Sequence, residues 1–180
     1  GTWNWTYQYV INASTNARKY QVRIRARDEA GNYCTGYSTR TFYYDTANPV
    51  SKVTGPGSLY VSNLGTISGT SSNDTKPDYI GAKVKITKIV GGEIWDGAVF
   101  GAGDFINVTG LGVYPSSSVW EYFDSDLEGQ LVTNTSYQIV AKITDQAGNI
   151  ELPLTSYTTF WYDNVKSTSN ITFPAEGGMV

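Results

Sequence analysis

The chain is 180 residues long, has a formal net charge of −3, and contains no histidine and one cysteine, Cys34. Without histidine, the usual general base of a serine or cysteine nucleophile is missing and histidine-ligated zinc or copper sites are excluded. A lone cysteine cannot close an internal disulfide, and no run of 18 apolar residues is present to cross a bilayer as a helix. The net charge offers no overall basic field to a phosphate backbone, so nucleic acid is not expected as a partner.

From the N-terminus, Trp3, Trp5, Tyr7 and Tyr9 alternate on one face of a strand, a row suited either to stacking sugar rings or to packing inward. Next, Tyr20, Val22, Ile24 and Ala26 are expected to face in, and Gln21, Arg23, Arg25 and Arg27 to face water. Asp28 to Asn32 reads Asp-Glu-Ala-Gly-Asn, a tight reversal in which Gly and Asn tolerate positive φ. Further strands are predicted at Leu59–Val61, Gly65–Gly69, Ala82–Val90, Glu93–Trp95, Phe105–Val108 and Val119–Phe123. Tyr137, Ile139, Ala141 and Ile143 then alternate with Gln138, Val140, Lys142 and Thr144. A last strand, Tyr157–Tyr162, sets Thr158, Phe160 and Tyr162 against Thr159 and Trp161. No helical segment is predicted.

The chain repeats itself. Trp3–Asn32 aligns without a gap onto Trp120–Asn149, 117 positions later, with seven identities in 30 positions: Trp3/Trp120, Tyr20/Tyr137, Gln21/Gln138, Asp28/Asp145, Ala30/Ala147, Gly31/Gly148 and Asn32/Asn149. At an offset of 118, Ser38–Asp45 recurs as Ser156–Asp163 and Pro56 as Pro174. Such a period is the signature of stacked modules. The expected organisation is the C-terminal part of one module at 1–45, a complete module at 48–164 and the first strand of a following module at 165–180. The strands missing before residue 1 are expected either from preceding polypeptide or from another copy, for which Asn164–Val180 is a candidate donor by strand addition.

Ile67-Ser-Gly-Thr70 with Asp74, Trp95-Asp-Gly97, Trp120, the Tyr-x-Ile-x-Ala-x-Ile-x-Asp-x-Ala-Gly-Asn run and Thr-x-Phe-Trp-Tyr-Asp163 together resemble the bacterial Ig-like modules strung along large surface proteins and adhesins. The resemblance implies an all-β fold of tandem immunoglobulin-like β-sandwich modules at an extracellular or cell-surface location, secreted and working as a spacer, stalk or filament element. Its alternative is an adhesin-type module that binds a glycan or partner protein. Neighbouring modules of the same chain are the expected partners.

Within that frame Trp120, Tyr137, Ile139 and Phe160 are expected in the core, with the Tyr137 hydroxyl tying the preceding loop to its strand. Asp45, Asp74, Asp145 and Asn149, with Asp78 nearby, are expected to converge where modules meet. Carboxylates crowded there would repel one another unless a hard cation such as calcium bridged them. The plainer reading of Asp28 and Asp145 is an Asx-type turn accepting backbone N–H groups. Asn-x-Ser/Thr sequons at Asn4, Asn12, Asn73, Asn107, Asn134 and Asn170 are candidate glycosylation sites. Asp124, Asp126 and Glu128 beside Gly129 read as a solvated turn and not as a catalytic pair, and no enzyme activity is expected. Lys83 and Lys85 alternate with Val84 and Ile86, which puts them on the water side, away from any intramolecular Lys–Asn cross-link.

Overall fold

The computed structural model describes residues 6–8, 18–72, 79–111, 119–173 and 176–177, with the backbone alone at 79 and 80. In chain order the elements are β1 (Arg18–Ile24), β2 (Ser38–Tyr44), β3 (Val50–Gly55), β4 (Tyr60–Val61), β5 (Ile67–Ser72), β6 (Tyr79–Lys88) and β7 (Ile94–Trp95). There follow β8 (Phe100–Gly101), β9 (Ile106–Asn107), β10 (Gly110–Leu111), β11 (Val119–Tyr122), α1 (Ser125–Gln130), β12 (Thr135–Asp145) and β13 (Tyr157–Tyr162). β1 and β2 make a separate two-stranded hairpin, and the rest form a sheet ordered β10-β11-β5-β3 and another ordered β4-β13-β12-β6-β7-β8, with β9 beside β6. Neighbouring strands run antiparallel, except β4 and β13, which run parallel.

Alternation explains why these segments become strands with one buried face. In β12 every second residue from Tyr137 to Asp145 is buried, and the intervening Gln138, Val140, Lys142 and Thr144 are only partly so. The two large sheets share one core, to which Val53, Ile67, Trp120 and Tyr122 contribute from one side and Val84, Ile86, Tyr137, Ile139, Ile143 and Phe160 from the other. Trp120, Tyr137, Ile139 and Phe160 are all fully buried. Rings run through this core as a chain, Trp95–Phe100–Tyr137–Phe160, with successive centroids 5.4 Å apart.

Trp120 sits opposite Gly69 in the β11–β5 register. A Cβ at Gly69 would collide with the Trp120 ring and with the Lys52 carbonyl, so the indole occupies the space that only glycine leaves open. The indole Nε1 donates to the Thr70 carbonyl at 3.2 Å. At the other end of the core the Trp95 Nε1 donates to the Tyr122 hydroxyl (2.8 Å), which donates to Asp124 Oδ2 (2.8 Å). Burial, reinforced by the Asp124 charge, raises the Tyr122 hydroxyl well above the ordinary tyrosine range even though the Trp95 bond opposes the shift. Tyr137 Oη accepts the Val132 N–H at 2.9 Å and so pins the loop before β12.

Several features depart from the sequence expectation, the short strands β8 and β10 among them. α1 is a helix where a turn was expected: the Asp124 side chain caps it by accepting Asp126 N–H (3.0 Å), and Leu127 fixes it to the core. β3 is an additional strand, and it buries Ser51, Val53 and Gly55. The face of β1 and β2 expected to point inward is largely open, with Val22 45% and Phe42 40% exposed, because among the described residues no second sheet covers it.

Candidate functional site

Of the residues singled out for a junction, Asp45, Asp145 and Asn149 gather around the β12–β13 connection, and the geometry there begins with the turn. Asp145 N–H donates to the Asn149 carbonyl (3.1 Å) and Gly148 N–H to the Asp145 carbonyl (3.1 Å), with Gly148 at φ 89°. The Asp145 carboxylate accepts Asn149 N–H on Oδ1 (2.8 Å) and the Asn149 side-chain amide on Oδ2 (2.9 Å). That same amide donates to the Asp45 carbonyl at 3.2 Å, so one asparagine ties the turn to the arriving chain. The Asp45 carboxylate accepts Ala47 N–H at 2.9 Å in an Asx turn.

Below this point the incoming chain is held to the outgoing one by side chains. Asn48 donates its amide to the Leu152 carbonyl (3.4 Å), Ser51 N–H donates to Glu151 Oε1 (2.8 Å), and Val53 N–H donates to Ser156 Oγ (2.9 Å). Glu151 is 98% buried, being 2% exposed, and its second oxygen accepts Ile143 N–H at 3.2 Å. One carboxylate therefore bridges β3 of one sheet and β12 of the other. Further along, Trp161 N–H donates to the Leu59 carbonyl (2.7 Å) and Asp163 N–H to the Val61 carbonyl (2.9 Å), which makes the parallel β4–β13 contact. Segment 45–61 is thus fastened to segment 149–163 along its length.

The earlier copy reproduces this geometry where it is present. Asp28 N–H donates to the Asn32 carbonyl, Gly31 N–H (φ 93°) to the Asp28 carbonyl, and the Asp28 carboxylate takes Asn32 N–H at 2.7 Å and the Asn32 amide at 3.0 Å. The Asn32 side chain, followed by its backbone N–H, holds the Asp28 carboxyl below the usual carboxylate range. Tyr20 faces Phe42 in register as Tyr137 faces Phe160, and both pairs stack at 5.4 Å, with interplanar angles of 19° and 21°. Asp163 Oδ1 accepts Val165 N–H at 2.9 Å, the counterpart of the Asp45 turn. Cys34 stands where the later copy has Glu151: each donates its backbone N–H to the corresponding strand carbonyl, Ala26 or Ile143.

Of the expected metal ligands, the structure brings Asp45, Asp145 and Asn149 to one place, while Asp74 and Asp78 lie outside the described residues. Asn149 approaches as an N–H donor, and among the described residues no group of three acidic or cysteine side chains stands close enough to hold a metal ion. Asn107, Asn134 and Asn170 are exposed; Asn4, Asn12 and Asn73 fall outside the described residues. The same holds for Trp3, Trp5 and Tyr9, and Tyr7 is 80% exposed. Asp124 and Asp126 serve the α1 cap. Lys83 is exposed, and Lys85 and Lys142 lie over the Phe105 ring on the outer face of the sheet, at 5.0 and 4.2 Å.

An open groove of about 460 Å³ lies at the opposite end of the sheet, with the half-exposed Trp161 as one wall and Lys88, Glu93, Asn134 and Ser136 around it. Lys88 and Glu93 pair across it at 3.7 Å. Among the described residues, no helix is long and apolar enough to cross a membrane. Sequence reasoning did not find Glu151 and Ser156 as bridging residues. Glu151 has Cys34 as its repeat mate, so the alignment carries no identity there, and only the position just beyond the Asp-x-Ala-Gly-Asn turn marks it. Neither protein-family models nor curated protein sequences match this chain.

Proposed function

We propose that the chain is part of an array of immunoglobulin-like modules that serves as an extended spacer or filament element at a cell surface, each module bearing on its neighbours. The observation that carries this reading is the path of the chain through the central unit. It arrives at Asp45, beside the Asp145–Asn149 turn at one end of β12, and leaves at Asp163, where Thr133 donates to the Asp163 carboxylate (3.1 Å) just before β12 begins. The two points are separated by the eleven residues of β12, about 34 Å of strand. A unit threaded lengthwise in this way extends an array, whereas one with adjacent termini would hang from it.

The strand order favours the immunoglobulin-like reading. With β3, β5, β6, β10, β11, β12 and β13 taken as strands A, B, C, D, E, F and G, the sheets read D-E-B-A and G-F-C, the arrangement of that sandwich. The Tyr137 bond to the loop before strand F fits the same family of folds. The parallel β4–β13 pair supports a load-bearing role: tension along the axis pulls these strands past each other and must break their bonds together, not one at a time. The matching Asx turns at Asp45 and Asp163 support a junction geometry that recurs.

Single-molecule stretching of the source polypeptide tests the proposal. A repeat of 118 residues predicts a sawtooth of force peaks spaced by about 400 Å of released contour, less the folded length of each unit. A featureless extension, or irregular spacings unrelated to that period, contradicts it.

A further inference from the structure

The net charge of −3 conceals a strong local asymmetry. Segment 18–44 holds six cations (Arg18, Lys19, Arg23, Arg25, Arg27 and Arg40) against two acids (Asp28 and Glu29), so it is +4 and the other residues sum to −7; every arginine in the chain is here. Lys19, Arg23, Arg25 and Arg27 are all exposed and recur at every second position apart from Gln21. Residues so spaced share one face of a strand, about 6.7 Å apart, and the ladder continues past β1 through the Arg27–Tyr33 bridge. Among the described residues no carboxylate pairs with any of the six cations. The corresponding face of β12 carries Gln138, Val140, Lys142 and Thr144, so the basic row belongs to this copy alone.

Tyrosines line the row. Arg25 stacks on Tyr33 at 3.7 Å and lies 5.2 Å from Tyr37, Arg27 is 5.5 Å from Tyr33, and Lys19 is 5.8 Å from Tyr43. Arg23 is steadied by a 2.7 Å bond to Gln21, and Arg27 by a 3.2 Å bond to the Gly31 carbonyl. A guanidinium stacked on a ring keeps its in-plane donors directed outward, and its fork matches the two oxygens of a carboxylate or sulfate. Because stacking and local bonds already restrict these side chains, less rotamer freedom is lost when an anion binds.

We infer that the outer face of the β1–β2 hairpin binds an extended acidic polysaccharide, its carboxylate or sulfate groups spaced along the row Lys19–Arg23–Arg25–Arg27. A linear polyanion suits a flat strand face with no enclosing walls. Single-stranded nucleic acid fits less well, because bases need aromatic faces on which to stack and the guanidinium and ammonium groups already lie over these rings. The acidic remainder of the chain confines attraction to the hairpin, so binding attaches one point of the molecule and does not coat it.

The test uses the whole 180-residue chain with alginate as the carboxylated probe and dextran sulfate as the sulfated one, beside uncharged dextran and oligo(dT). Binding to one or both acidic polymers is expected, at least tenfold weaker in 200 mM than in 50 mM salt as counterions are released, with no binding to dextran. The triple variant R23Q/R25Q/R27Q is expected to lose binding at least tenfold, while K52Q/K83Q/K166Q, which removes the same charge elsewhere, stays within twofold of the parent; thermal melting checks that both are folded. R23K/R25K/R27K, which keeps the charge and removes the forks, is expected to fall between the parent and the glutamine variant. The proposal is overturned by no binding to either acidic polymer at 50 mM salt, by equal losses in the two glutamine triples, by lysine replacements that bind like the parent, or by oligo(dT) binding more tightly than both polysaccharides.

Discussion

Trp120→Ala is expected to destabilise the protein by about 3–5 kcal/mol, a large part of the roughly 5–15 kcal/mol available to a domain of this kind. Trp120 is fully buried between the two sheets, so the substitution removes a large apolar surface and leaves a cavity that the β11–β5 pair cannot close, since its cross-strand neighbour is the bare Gly69. The same packing predicts that Gly69→Ala is destabilising by about 1–3 kcal/mol or more, because the added methyl meets both the indole and the Lys52 carbonyl. The two effects share one space. In the double variant the alanine methyl enters the room left by the indole, and the combined loss is expected to fall short of the sum of the single losses. Urea unfolding of the four proteins measures this directly; additive losses would show that Gly69 and Trp120 do not occupy one site.

Glu151→Ala is expected to cost about 2–6 kcal/mol. The buried carboxylate receives two backbone N–H groups, from Ser51 and Ile143. Removing it leaves two buried donors unsatisfied, each at about 1–3 kcal/mol. Glu151→Gln keeps one acceptor and turns an N–H toward the other donor, so it is expected to lose part of that amount. Because the residue joins the first strand of one sheet to the central strand of the other, hydrogen exchange in Glu151→Ala is expected to rise first at Ser51 and Val53. Exchange unchanged at β3 would mean that backbone pairing with β5 alone holds the strand.

How much of this could be read from residues depended on side-chain contrast. β12 and β13 were legible because large apolar and polar residues alternate along them, and the Asp-x-Ala-Gly-Asn turn because its chemistry is local. β3 was not, since its buried set is Ser51, Val53 and Gly55 while the apolar Val50 is 55% exposed; its inward face is chosen by Glu151 and by the close approach of Ser68, which no pattern within the strand reveals. α1 has six residues, too few for a helical period, and exists because Asp124 caps it and Leu127 finds the core. In the glycine-rich stretch, strands as short as β8 and β10 take their register from Trp95 and Trp120 across the sheet. The alternation of Arg23, Arg25 and Arg27 was visible, but averaging charge over the whole chain hid its meaning. Asp45 stands far in sequence from Asp145 and Asn149 and meets them through the turn after β12, where their hydrogen bonds fix the backbone.

The central claim is that residues 18–44 and 135–162 are the same structural element, used in successive units. Exchanging them tests it most directly: the hairpin from Arg18 to Tyr44, with Cys34→Glu to restore the bridging carboxylate, is placed in the position of 135–162. The account predicts a protein that still unfolds in one cooperative transition, with Tyr20 and Phe42 now buried in the shared core and the tyrosine–phenylalanine register retained. A chimera that shows no cooperative transition, while one carrying the native 135–162 segment through the same junctions does, would contradict it.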